Sequence, residues 1–263
     1  MTDAAFLDHA LAVAREAASA AARVIAAHYR AGVAVETKAD DTPVTIADRE
    51  AEAAIKRVLK AAFPQHAFYG EEEGREGDSD FIWLIDPIDG TRSFVRRYPM
   101  FSTQIALMHR GELVLGVSSA SEFGEVAWAR RGGGAWLGKD FSAGESILVA
   151  ATAAFDAGTA ISFGNVKTLA RGPGWQALAA LIQRCGRTRG YGDFYHYHLL
   201  ARGSLDLVLE SDVNILDIAA LAVIVREAGG VFTDLTGAPL DLDTSSVLAG
   251  TPALHAQALA LFA

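Results

Sequence analysis

Apolar positions at helical spacing alternate with short apolar runs along the chain, and Gly and Pro residues divide them into elements. Residues 4–31 are Ala-rich, with Phe6, Leu7, Leu11, Val24 and Ile25 as larger apolar contacts. They predict one long helix capped by Gly32. A polar loop follows over Lys38–Pro43. Thr45-Ile46-Ala47-Asp48 opens a second helix, with Ala51, Ala54, Ile55, Val58 and Leu59 at helical spacing and Pro64 closing it. His66–Tyr69 is a short strand running into Gly70-Glu71-Glu72-Glu73-Gly74. The run Phe81–Ile85 has the length and residue types of a strand buried on both faces. It ends abruptly in Asp86-Pro87-Ile88-Asp89-Gly90-Thr91.

Hairpin-like pairs come next: Thr103–His109 with Glu112–Ser119 about Arg110-Gly111, then Val126–Arg130 with Ala135–Leu137 about Gly132-Gly133-Gly134. From near Ser146 strands and helices alternate. Strands are expected over Thr159–Phe163, Leu205–Glu210, Val231–Leu235 and Val247–Ala249. Helices are expected over Trp175–Cys185, Phe194–Ala201, Asp217–Ala228 and from Pro252. We read one domain, 1–263, in which an antiparallel-rich subregion (1–145) meets an alternating one (146–263).

Composition narrows the functional classes. At 51% hydrophobic residues, a sizeable core is within reach. The net charge of -9, with no separate block of like charge, argues against a nucleic-acid groove. A single cysteine, Cys185, rules out an internal disulfide and suits a reducing, cytoplasmic setting. Asp3, Asp8, His9, Arg15 and Glu16 interrupt the N-terminal apolar positions, so neither a signal peptide nor a membrane span is expected.

The candidate chemistry lies in four acidic groups that follow apolar segments or open helices: Asp48, Glu71-Glu72, Asp86 with Asp89, and Asp217. Carboxylates of this kind suit Mg²⁺, with water and a substrate phosphate completing the shell. Gly90-Thr91-Arg92 could open a helix whose free N–H groups face a phosphate. Each group also has a plain reading. Asp-Pro and Asp-Gly form ordinary turns. Asp48 completes a capping box with Thr45, Glu71–Glu73 is a solvated loop, and Asp217 faces a helix dipole. Asp241-Leu242-Asp243-Thr244-Ser245 imitates a phosphatase nucleophile motif but lies after Pro239, near the C-terminus. His196 and His198, two apart on a helix, diverge and read as packing residues. No P-loop or nucleophile elbow is present.

In order, Thr45-Ile46-Ala47-Asp48, Gly70-Glu71-Glu72, Asp86-Pro87-Ile88-Asp89-Gly90-Thr91 and Asp217-Ile218-Ala219-Ala220, with Glu227-Ala228-Gly229-Gly230 after them, resemble the inositol monophosphatase family. The resemblance covers nearly the whole chain. It implies an α/β (α+β) fold, a five-layered αβαβα sandwich of the inositol monophosphatase and fructose-1,6-bisphosphatase type. It also implies Mg²⁺-dependent phosphomonoester hydrolysis by a homodimer, often lithium-sensitive. Carried over by motif, Glu71, Asp86 and the Ile88 carbonyl bind one metal. Asp86, Asp89 and Asp217 bind a second, and a third, weaker ion leans on Glu71. Gly90 and Thr91 hold the phosphate, Glu71 with Thr91 activates water, and Asp48 supports them.

Two departures point away from inositol. Leu216 stands where the family usually has Trp, and Arg92-Ser93-Phe94 follows Thr91 where the inositol branch has Asn before Phe. Asp-Gly-Thr-Arg-Ser-Phe with Gly192-Asp193-Phe194-Tyr195 is similar to the histidinol-phosphate phosphatase branch, an enzyme of histidine biosynthesis. Its substrate side is expected at Asp89, Arg92, Asp193, Glu210, Asn214 and Asp217, carboxylates there favouring a cationic alcohol. Asp193 equally serves as a cap of the following helix. Inositol-1-phosphate or broad sugar-phosphate hydrolysis is the alternative, and a non-catalytic regulatory protein on the same scaffold a more distant one.

Overall fold

The structure is a computed structural model that describes residues 3–31, 35–37, 43–171 and 174–262. The expected cap Gly32, most of the 38–43 loop and Pro173 lie outside the described residues.

The N-terminal helix α1 (Ala4–Ala31) buries Leu7, Ala10, Ala14, Ala17, Ala18, Ala21 and Ile25 along one face. Small side chains at three- and four-residue spacing let it lie close against its neighbours. The short antiparallel pair β1 (Val35–Thr37) and β2 (Pro43–Thr45) leads into α2 (Ile46–Ala62). Next come β3 (Ala67–Gly70), β4 (Gly74–Glu76), β5 (Phe81–Asp89) and a five-residue helix α3 (Thr91–Val95). The strands β6 (Ser102–His109), β7 (Glu112–Ala120), β8 (Glu125–Arg130), β9 (Ala135–Gly138) and β10 (Glu145–Ile147) complete an eight-stranded sheet in the order β10-β9-β8-β7-β6-β5-β3-β4. Only β3 and β5 run parallel. Arg110 and Gly111, both at positive φ, make the tight turn expected between β6 and β7.

The second half contributes β11 (Ala160–Phe163), α4 (Val166–Leu169), α5 (Gly174–Arg184), β12 (Arg187–Arg189), α6 (Asp193–Ala201), β13 (Leu207–Ser211), α7 (Ile215–Glu227), β14 (Val231–Thr233), β15 (Ser246–Gly250) and α8 (Pro252–Leu259). Its five-stranded sheet runs β12-β11-β13-β15-β14, parallel across β12, β11 and β13 and antiparallel beyond.

Three cores set the layering. α1 and α2 cover one face of the large sheet around Trp83, Ile85, Ile105 and Val117. On its other face α6 and α7 fill the space before the small sheet, with Phe194, Tyr197 and ten buried residues of α7. α5 and α8 close the far face of the small sheet around Leu178, Leu181 and Leu254. The result is the five-layered αβαβα sandwich. α7 is apolar all round because it is buried between two sheets. No helix among the described residues is long and apolar enough to cross a membrane.

Candidate active site

The site begins at an irregularity in β5. In a regular strand, residues three apart point to opposite faces. Asp86 pairs with Gln104 of β6 and Asp89 with Ser102, so β5 has one residue more than its partner between them. This bulge resets the alternation. Carboxylate oxygens of Asp86, Asp89 and Asp217 therefore lie within 4.8 Å of one another. Pro87 has no N–H to lose to the ladder and sits in the bulge; Thr103 Oγ1 donates to its carbonyl at 2.8 Å. The strand thus runs on to Asp89 instead of ending at Ile85, and the turn expected over 86–91 narrows to Gly90. Gly90 has φ 89, and a Cβ there would sit 2.7 Å from the Met100 carbonyl oxygen. It starts α3, whose first N–H groups have no intrahelical acceptor.

Asp48 and Asp217 each close a capping box and are also placed beside the other candidate groups. Asp48 Oδ2 accepts Thr45 N–H at 2.8 Å and the Thr45 hydroxyl at 2.6 Å, closing the capping box of α2. Its other oxygen faces Thr91 Oγ1 at 3.5 Å, while that hydroxyl also reaches the Ile88 carbonyl at 3.1 Å. Asp217 accepts Asn214 N–H and Nδ2–H, both at 2.8 Å, as the capping box of α7. One helix start thus delivers each acid to the site.

Glu71 arrives on the loop after β3, and a buried ion pair unnoticed in the sequence holds that loop. Glu52, on α2, is fully buried and accepts Glu72 N–H at 2.8 Å and Glu73 N–H at 3.2 Å. Lys56, one turn on, neutralises it at 2.7 Å and reaches Glu73 at 2.8 Å. The i, i+4 spacing was the available signal, but on α2 it reads as a surface pair. Gly70 makes the approach possible, because a Cβ there would lie 2.1 Å from Glu52 Oε1.

Glu71, Asp86, Asp89, Gly90, Thr91, Arg92, Asn214 and Asp217 line one open cavity of about 480 Å³. Burial first, and the charge of neighbours second, pushes Asp86 and Asp89 well above the ordinary carboxylate range. Burial, with Glu71 nearby, pushes Asp217 up to about 7. Burial also raises Asp48 against the bonds from Thr45. Hard oxygen donors crowded together at this energetic cost fit a metal ion, which would remove the repulsion.

A second cavity of about 260 Å³ adjoins the first through Asp89, Asp193, Asp212 and Asp217. Gly164, Asn165, Tyr197 and Glu210 also line it, and none of its described lining residues is Lys or Arg. Asp193 is pushed up to about 6 by burial and by Glu210. Its side chain does not cap α6, which starts at Gly192 without a side-chain cap bond.

The structure therefore brings together Asp48, Glu71, Asp86, Ile88, Asp89, Gly90, Thr91, Arg92, Asn214 and Asp217, with Asp193 and Glu210 on the adjoining wall. Arg92 is exposed at the rim. The 241–245 stretch is an exposed turn in which Asp241 accepts Asp243 N–H and the Thr244 hydroxyl. His196 and His198 are fully buried, as a packing role requires, yet each is also polar-bonded: His196 to Glu210, His198 to Ser118 and Glu125.

The described family of inositol monophosphatases matches residues 7–263. A histidinol-phosphatase of Streptomyces coelicolor is 39% identical over 216 residues, 78% of this chain and 78% of the relative. One of Mycobacterium tuberculosis is 38% identical over 206 residues, 77% of this chain and 78% of the relative. The solved structure of an inositol monophosphatase from Zymomonas mobilis superposes with a TM-score of 0.85 at 30% identity, covering 99% of both chains. The acid cluster, the bulged strand and these likenesses agree: the chain belongs to the inositol monophosphatase family and is a phosphoric monoester hydrolase.

Proposed function

We propose that the enzyme hydrolyses L-histidinol phosphate to L-histidinol and phosphate, with Mg²⁺ as cofactor. One observation carries the reading. The cavity beside the acid cluster presents Asp193, Glu210 and Asp212 and no described basic side chain. Such a wall attracts an alcohol bearing an ammonium group and gives a second phosphate nothing to bind. The similarity to histidinol-phosphatases supports the same choice.

Two or three Mg²⁺ ions would be held by Glu71, Asp86, the Ile88 carbonyl, Asp89 and Asp217. When bound, Mg²⁺ supplies Lewis acidity, making water a better nucleophile at neutral pH and neutralising phosphate charge. The chain's own groups do the rest. The N–H groups of Gly90 and Thr91 receive the phosphate oxygens at the start of α3. Thr91 Oγ1, oriented towards Ile88 O and Asp48, orders the attacking water. Glu71 takes the proton of that water as the phosphorus–oxygen ester bond breaks, and the alkoxide collects a proton from solvent. Asp89, Arg92, Asp193, Glu210 and Asp217 surround the alcohol.

The same reading carries a cytoplasmic homodimer of one-domain chains. The free thiol of Cys185 suits a reducing compartment, and α7 packs on strands of both sheets. The test is kcat/KM with Mg²⁺ on a panel of histidinol phosphate, inositol 1-phosphate and glycerol 2-phosphate. Histidinol phosphate should lead; inositol 1-phosphate in front would replace this reading with the inositol one, which the likeness to the Zymomonas enzyme favours.

A further inference from the structure

Glu210 faces the alcohol-side cavity, yet three residues outside its own strand determine how it does so. Tyr197 donates its hydroxyl to Oε2 at 2.6 Å, and His196 Nε2 meets the same oxygen at 3.0 Å. His196 is wholly buried, and its other nitrogen lies 3.3 Å from Ser162 Oγ. Ser162 Oγ in turn accepts the Tyr191 N–H at 3.2 Å. One donor order satisfies every atom: Tyr191 N–H to Ser162 Oγ, Ser162 O–H to His196 Nδ1, and His196 Nε2–H to Glu210. In that order Nδ1 accepts and Nε2 donates, so the buried ring orients the carboxylate through a single N–H.

The other carboxylate oxygen has been given room. Gly164, which lines the cavity, lies so close that a Cβ there would sit 2.1 Å from Glu210 Oε1. Ser162 and Gly164 belong to or follow β11, Glu210 to β13, and these strands are paired neighbours. Two donors on Oε2 and a side-chain-free floor under Oε1 leave one oxygen for a ligand.

We propose that His196, oriented by Ser162, is a specificity-positioning residue: it holds Glu210 with one anionic oxygen directed at the ammonium group of an amino-alcohol phosphate. This rests on the cationic-alcohol reading above. His196 itself touches neither phosphate nor the reacting atoms, so its effect is confined to the choice of alcohol.

The experiment compares two esters that differ in one group, L-histidinol phosphate and its desamino analogue, 3-(imidazol-4-yl)propyl phosphate. The wild-type enzyme should prefer the amine ester. His196→Ala should lower kcat/KM for the amine ester about tenfold, mainly through KM. The desamino ester should be nearly unaffected. His196→Gln, whose amide nitrogen can replace Nε2 as donor, should restore most of the preference. Ser162→Ala should erode it in the same direction and serves if His196→Ala fails to fold. Equal loss for both esters, or an unchanged ratio, in the variants that fold overturns the positioning role alone. A wild-type enzyme indifferent to the amine overturns the cationic-alcohol reading and this inference with it.

Discussion

Asp86 and Asp89 face the same side of β5 although they lie three positions apart, because the strand bulges by one residue against Gln104 and Ser102. The site therefore depends on a local fault in the sheet, and the side chains it gathers repel one another.

That repulsion makes Asp86 a trade between stability and chemistry. Asp86→Asn removes one buried charge and should raise the melting temperature of the metal-free protein. It should also lower kcat/KM at least ~100-fold, since even the outer partners of metal ligands matter by 10–100-fold. Calorimetry in EDTA and steady-state kinetics in Mg²⁺ check both halves. A variant with wild-type rate would remove Asp86 from the ligand set.

The same charges give the metal-free protein an unusual pH profile. Asp86, Asp89, Asp193 and Asp217 all titrate above the ordinary 3.8 when folded, Asp193 at about 6 and Asp217 at about 7. Between roughly pH 4 and 7 the folded state thus holds more protons than the unfolded chain, and these groups make stability fall as pH rises. In EDTA the melting temperature should drop from pH 5 to pH 7.5, less steeply in Asp217→Asn. Mg²⁺ at pH 7.5 should restore it and release protons measurable in weak buffer. A slope in EDTA no different between wild type and Asp217→Asn would refute the account.

Lys56 and Glu52 offer a cleaner energetic test, away from the acid cluster. Lys56→Met leaves Glu52 charged, buried and without its cation, and should destabilise by about 3–5 kcal/mol. Adding Glu52→Gln should recover much of that loss while keeping an acceptor for the 72–73 N–H groups. Urea unfolding of the four proteins in the cycle gives the coupling directly; additive effects would show that the two side chains act independently.

Much of this architecture is legible from residue pattern. α1, α2, α5, α6, α7 and the long strands follow from spacing and from Gly and Pro punctuation, and they lie within a few residues of the expected bounds. The three-residue strands β1, β2, β4, β10 and β12 and the four-residue α4 were not anticipated, since so short a segment has no period to read. Most acids of the site were nameable, but Asp212, which lines both cavities, was not, and neither was the bulge. Asp86-Pro87-Ile88-Asp89 reads as a turn, and only pairing with β6 shows a strand one residue too long. Glu52 and His196 escaped for a related reason. Their roles lie in the groups they meet from other elements, Glu72 N–H and Glu210, and neither partner is close in sequence.

Gly116 of β7 has a reach beyond its own strand. A Cβ there would lie 2.4 Å from the Ala220 carbonyl oxygen, so the bare glycine lets α7 sink against the large sheet. The first turn of that helix carries Asp217, while Asp86 and Asp89 belong to the sheet. The depth of this one seat is thus a ruler for the acid cluster. A single added methyl at 116 would lift the helix and part Asp217 from its two companions without altering any of the three acids themselves.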